Sequence, residues 1–276
     1  MSAPSKRLSF FATIVESARQ TASTLLRDRM VWILVGSSLA LAGLGFVVGP
    51  RAEERLGGRR LFCLLAWWLQ GTVLVPWTTL YLGISTVHGA IEDRTFQYTF
   101  LRPVDRGALL LGKWVGVCLI AVPLAVCGTA VLFGAVAVRP GLWPDGIDWN
   151  LPRAFALVLA IGAATYAAIA MLFGAWFRRP LVMAALFVVG LQTLTANLDV
   201  SAGLRRITVI DPMRRLLLDE IEPEPRLVRE LWPAERDYRS DHVGTPVRDL
   251  LVLTVVCAAL GAWIYRRTEY DSRERE

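Results

Sequence analysis

Residues 30–50 read MVWILVGSSLALAGLGFVVGP, a run without a single charge, set between Arg29 and Arg51. At about 1.5 Å of helix per residue, roughly 20 such residues cross the hydrocarbon layer of a bilayer. The run also lacks the charged stripe that a helix on a soluble core turns toward water. The pattern recurs at 61–87, 154–177, 181–198 and 250–265, and at 109–138 with Lys113 as its one interruption. With 54% of the 276 residues hydrophobic and only 20% charged, one or two soluble cores would not absorb so many stretches. The sequence predicts an all-α integral membrane protein with six transmembrane helices.

Local chemistry qualifies each span. Pro76 is expected to kink the second, because proline removes a helical N–H, and Pro123 stands inside the third. Trp67, Trp68 and Trp77 suit either membrane interfaces or packing between helices. Arg178, Arg179 and Pro180 leave a very short hinge, so the fourth and fifth spans are expected to be antiparallel neighbours. The last span is the shortest, and Val247 extends it if Arg248 and Asp249 lie at the interface.

Two regions flank or interrupt the spans. In residues 1–29, Leu8, Phe11, Ile14, Val15, Ala18, Ala22, Leu25 and Leu26 recur at helical spacing among Lys6, Arg7, Arg19, Arg27 and Arg29. This pattern predicts an amphipathic helix lying in the membrane interface against lipid, or packed on the protein's own helix ends. Residues 1–20 show no continuous apolar core followed by a small-residue cleavage site, so no cleaved signal is expected. Residues 199–249 hold Pro212, Pro223, Pro225, Pro233 and Pro246 and two short amphipathic stretches, 213–221 and 226–232. They read as an extramembrane cap with one or two short helices, or as a linker. The remaining 250–276 form the last span and a tail.

Several function classes drop out. The net charge of +6 comes from arginines flanking apolar runs, which suits headgroup anchoring and gives no reason to expect nucleic acid as a partner. Cys63, Cys118, Cys127 and Cys257 lie in apolar segments without a CxxC pair, so packing, not a disulfide framework or zinc site, is expected. No HExxH, no GxSxG and no acidic pair at membrane depth points to an intramembrane enzyme. Gly107, Gly112 and Lys113 satisfy the start of a phosphate-binding loop, but Trp114 stands where the loop needs Ser or Thr, and no buried strand precedes it.

Residues 88–114, HGAIEDRTFQYTFLRPVDRGALLLGKW, carry the most specific pattern. A short amphipathic helix over 91–101 is expected, ended by Pro103, with the third span following. The order Glu92, Asp93, Thr95, Phe96, Phe100, Leu101, Pro103, Arg106, Gly112 and Lys113 resembles the central signature of ABC-transporter type-2 permeases. The amphipathic N-terminus, six spans and long loop before the last span also fit that family. One departure is Arg94, where the family usually has Gly.

The resemblance implies a non-catalytic membrane subunit of a bacterial ATP-driven exporter. It implies a cytoplasmic coupling helix within 88–106 that docks on a separate ATPase subunit in two copies, with a second permease copy or homologue completing the assembly. Glu92, Asp93, Arg94 and Arg102 would then set orientation around an apolar anchor of Phe96, Phe100 and Leu101, although those apolar residues could instead pack on neighbouring spans. No cofactor is expected on this chain; ATP and magnesium belong to the partner. Polar side chains in the second and fifth spans, Gln70, Thr78, Gln192, Thr195 and Asn197 among them, are candidates for the substrate path or for interhelical hydrogen bonds. Lys113 is expected to snorkel to headgroups or to pair with Glu92 or Asp93. Basic residues divide evenly between the two faces, so cytoplasmic termini, an extracytoplasmic 199–249 loop and an inner-membrane location rest partly on the resemblance. A non-transporting scaffold or ATP-gated regulator for motility, secretion or cofactor assembly would keep the same docking helix.

Overall fold

The computed structural model describes residues 10–53, 57–92, 106–143, 146–192, 208–221 and 244–267. Among them every regular element is helical. In order these are α1 (Phe10–Arg27), α2 (Arg29–Glu53), α3 (Gly58–Leu64), α4 (Val75–Glu92), α5 (Arg106–Ala137), α6 (Asn150–Trp176), α7 (Pro180–Ala185), α8 (Ile210–Ile221) and α9 (Gly244–Arg267). Five stretches are long and apolar enough to cross a membrane: Arg29–Gly49, Gly58–Gly89, Arg106–Ala137, Asn150–Trp176 and Thr245–Arg267. The chain is an all-α integral membrane protein. The expected fifth span begins as Pro180–Gly190, and its last residues, 193–198, lie outside the described residues.

The second span is not a simple proline kink. Ten residues before Pro76, Leu65–Leu74, form a π-helix joining α3 to α4, and the Val75 N–H donates to the Gln70 carbonyl five residues back. Pro76 has no N–H to offer the preceding turn, so a widened turn that pairs carbonyls one residue further on accommodates it. A second π-helix, Leu186–Gln192, follows α7 in the fifth span. The hinge forms as expected: Arg179 caps α7, Pro180 occupies its first turn, and Phe187 returns to within 5.5 Å of Phe173 on α6.

Helix α6 is the centre of the bundle. Tyr166, Leu159, Ala163, Ala167, Ala168 and Ala170 are fully buried. Its small residues admit neighbours at backbone distance: a Cβ on Gly83 of α4 would overlap the Ala170 side chain, and one on Gly174 would meet Val87 at 3.0 Å. Lipid tails give helices no hydrophobic reason to associate, so close contact of this kind holds spans together. At one end Phe62 packs edge-on against Phe133 and Phe155, each at 5.2 Å, joining α3, α5 and α6. Trp67 is buried, whereas Trp68 and Trp77 face outward. Of the four cysteines, Cys127 departs from the expected burial, because it lies on the outer side of α5.

Helix α1 packs along the first half of α5. Ser17 Oγ donates to the Leu109 carbonyl at 3.0 Å, a Cβ on Gly112 would meet Ser17 at 2.6 Å, and one on Gly116 would meet Thr21 at 2.7 Å. This four-on-four register makes the two helices run in the same direction. The buried face of α1 is its small, weakly polar side, Thr13, Ser17, Ala18 and Thr21 with Leu25, while Phe10, Phe11, Val15 and Leu26 are exposed. Packing on the protein's own helix thus takes one face, and the large apolar side chains are left for the surroundings.

Helix α8 realises the expected amphipathic stretch at 213–221; the other, at 226–232, lies outside the described residues. Met213 fits against Gly162, midway along α6. Asp211 pairs with Arg214 at 2.9 Å and Arg215 at 3.0 Å, with the first two side chains almost wholly buried. The Arg59 guanidinium donates to the Ile221 carbonyl at 3.1 Å and ties the other end of α8 to α3.

Candidate coupling site and the polar positions of the spans

The segment with the family signature hangs between two stems. Helix α4 continues the second span to Glu92, and α5 begins the third at Arg106. Both stems reach the same end of the bundle, where Val87 of α4 meets Gly174 of α6 and Gly107 of α5 meets the Arg266 side chain of α9. Ile91 and Glu92 belong to the end of α4 itself. Asp93, Arg94, Phe96, Phe100, Leu101 and Arg102 lie outside the described residues, as does the rest of the expected helix over 91–101.

Lys113 joins the stems. Its Nζ donates to the Thr86 carbonyl of α4 at 2.9 Å; the carboxylate partners expected from sequence, Glu92 and Asp93, have side chains outside the described residues. At the next residue, the Trp114 indole N–H donates to the Ala164 carbonyl of α6 at 3.2 Å. The adjoining Gly112 and Gly116 are the positions that α1 covers. Gly112 and Gly116 stand in G-x-x-x-G spacing, and Ser17-x-x-x-Thr21 is its counterpart on α1, two small residues four apart.

The candidate path residues fall into two groups. Gln70, in the first π-helix, is buried, and its Nε2 donates to the Ala125 carbonyl at 2.8 Å and the Thr129 hydroxyl at 2.9 Å, both on α5. The Thr129 hydroxyl in turn donates to the same Ala125 carbonyl, which fixes the orientation of the amide. The Gln70 Oε1 is left buried without a donor. Thr78 is buried and donates back to the Val75 carbonyl within α4 at 3.1 Å. Gln192 closes the second π-helix, and Thr195 and Asn197 lie outside the described residues. Thr72 likewise bonds back to the Trp68 carbonyl. Gln70, Thr72 and Thr78 are thus engaged with backbone or with α5, whereas the buried Thr79 hydroxyl has no hydrogen-bond partner among the described residues. Among the described residues no cluster of His, Cys, Asp or Glu could hold a metal ion.

Residues 14–198, from within α1 through the fifth span, match the ABC-2 family of transporter proteins. The chain belongs to the ABC-2 transporter family. Over 137 residues, 49% of this chain, it is 31% identical to the probable ABC transporter permease protein NosY of Stutzerimonas stutzeri. The aligned part is 48% of that relative, so the chain spans about half the length of the protein it matches. As a member of that family the chain is a multi-pass membrane protein.

Proposed function

We propose that this chain is the permease subunit of an ATP-driven exporter in a bacterial inner membrane, with both termini cytoplasmic. Two membrane subunits, identical or homologous, work with two copies of the ATPase; ATP and magnesium bind on that partner and hydrolysis occurs there. The observation that carries the reading is the convergence of α4 and α5 at one end of the bundle on either side of the family signature. A push on residues 93–105 enters two spans at once. Glu92, Asp93, Arg94 and Arg102 orient the ATPase contact, and Phe96, Phe100 and Leu101 anchor it. Nucleotide-driven closure of the ATPase pair then shifts α4 and α5 between two packed arrangements.

The passenger path is assigned to Gln70, Thr78, Gln192, Thr195 and Asn197. Gln70 reaches a passenger by exchanging its bonds to Ala125 and Thr129, and its unpaired Oε1 gives that exchange an acceptor already poised. The absence of a charged ring in the spans favours an amphipathic passenger over a small hydrated ion.

Replacing Glu92 and Asp93 by Lys, or Phe96 by Asp, tests the docking role. The expected result is a permease that still inserts but no longer copurifies with the ATPase or stimulates its hydrolysis. Copurification and stimulation equal to the parent's overturn the reading. ATP-dependent flux in vesicles separates an exporter from a scaffold, because a scaffold consumes ATP without moving a passenger.

A further inference from the structure

Lys113 is a charge within an apolar span, where a cation is costly and is retained for a purpose. The signature segment enters α4 and α5, and both stems pack on α6, α5 through the Trp114 indole on the Ala164 carbonyl. Helix α4 is held against α6, through Gly83 on Ala170 and Val87 on Gly174. The start of α5 is held by α1 at Gly112 and Gly116, and by α9 at Gly107 and at Leu110 beside Gly261. The bond from Lys113 to the Thr86 carbonyl joins the two stems directly, near the end where the segment enters.

The receiving end of that bond is a weakened turn. Ser85 Oγ and Thr86 Oγ1 both donate back to the Leu82 carbonyl, at 3.1 and 2.6 Å. Back-bonding of this kind competes with the helical ladder and lets a helix bend. A force applied beyond Glu92 would therefore be absorbed in part by bending at 82–86, although Gly83 and Val87 seat this stretch on α6. The charge-assisted bond from Lys113 ends on the carbonyl of Thr86, at the end of that stretch, and passes part of the load directly to α5.

We infer that Lys113 is a positioning residue, a crosspiece that makes the end of α4 and the start of α5 move as one body when the ATPase pushes the segment between them. This rests on the docking role proposed above. It predicts a variant in which attachment survives and transmission fails, which is the reverse of the Phe96→Asp phenotype.

The test uses the full complex that copurifies with the tagged permease, in a Cys118→Ser, Cys127→Ser background. Nitroxide labels are placed at Gly89→Cys and Leu111→Cys. In the parent and in Lys113→Arg, which keeps a cationic donor, the label separation stays the same with and without ATP plus vanadate. In Lys113→Met the ATPase still copurifies, but the separation changes between the two states, and permease-stimulated ATP hydrolysis falls about tenfold, the size of effect that losing a charged hydrogen bond produces. Lys113→Gln, a neutral donor, falls between.

An unchanged separation and unchanged stimulation in Lys113→Met overturn the inference while leaving docking intact. Loss of the folded complex in both Lys113→Met and Lys113→Arg also overturns it, because a purely packing role would explain both. If Phe96→Asp keeps a fully stimulated ATPase, it is the docking reading itself that fails, whatever Lys113 does.

Discussion

The most apolar membrane-spanning stretches of α2 and α6 are equally apolar, yet 72% of that stretch of α6 is buried within the chain and only 22% of that of α2. Hydropathy reports that both leave water; it does not say whether protein or lipid receives them. On α6 the glycines and alanines are met by other helices, as at Gly162 and Gly174, whereas on α2 a Cβ on Gly36 or Gly43 would meet nothing within 4 Å among the described residues. Trp32, Ile33, Leu39, Phe46 and Val47 of α2 are exposed, so its outer surface is open to lipid or to a second permease subunit. The difference separates a centre fixed by contact from a rim whose partner lies outside the chain.

The strongest way to break this contrast is to enlarge a glycine on each side of it. Gly83→Leu forces α4 away from Ala170, and because the obstacle lies on a helix packed on several sides, loss of the folded protein is expected, read as aggregation on size-exclusion chromatography in detergent. Gly43→Leu meets open space and should leave elution and melting temperature as in the parent. Equal tolerance of both would remove the distinction.

A smaller loss is expected where charge lies against the centre. Arg214→Met removes one of the two partners of buried Asp211, and breaking such a pair costs up to about 3 kcal/mol, observable as a lower Tm in detergent. Arg215→Met, whose side chain is more exposed, should cost under about 1 kcal/mol. If Arg215→Met is the more damaging, the packing of α8 on α6 is not what makes this pair matter.

Gln70 lies at the boundary between centre and rim. Gln70→Leu removes two hydrogen bonds together with an unpaired acceptor, so a net cost near or below about 1 kcal/mol is expected. A transport defect at preserved Tm would support passenger contact, whereas a large drop in Tm with no transport defect would make Gln70 an architectural residue only. The smallest effect belongs to the rim: Leu39→Ala should leave the Tm of the isolated chain unchanged, and a loss of dimer in crosslinking would mark this face as the subunit interface.

Much of this was legible in the sequence because it follows from composition along one dimension. Charge-free runs of bilayer length gave the spans, and Arg-Arg-Pro gave the hinge where α7 begins. The signature at 88–114 gave the family. Other features required contacts between distant residues. Pro76 announced a disturbance, but the π-helix over Leu65–Leu74 depends on which carbonyls the preceding turns reach. The amphipathic pattern before α2 drew attention to large apolar side chains, while the face that packs is the small one. Lys113 is the one charge in a long apolar run, but the bond it makes to α4 ends on a backbone carbonyl, and every residue has one of those, so composition could not single out Thr86.

The sequence alone determined that the chain enters the membrane, roughly where, and to which family it belongs, because the cost of placing charge in hydrocarbon is large and local to each segment. Only the tertiary structure decided which apolar surfaces meet protein, how α1 seats on Gly112 and Gly116, and how Lys113 bridges the two stems. Those outcomes depend on fit between surfaces far apart in the chain, and in lipid that fit, not hydrophobicity, distinguishes one neighbour from another.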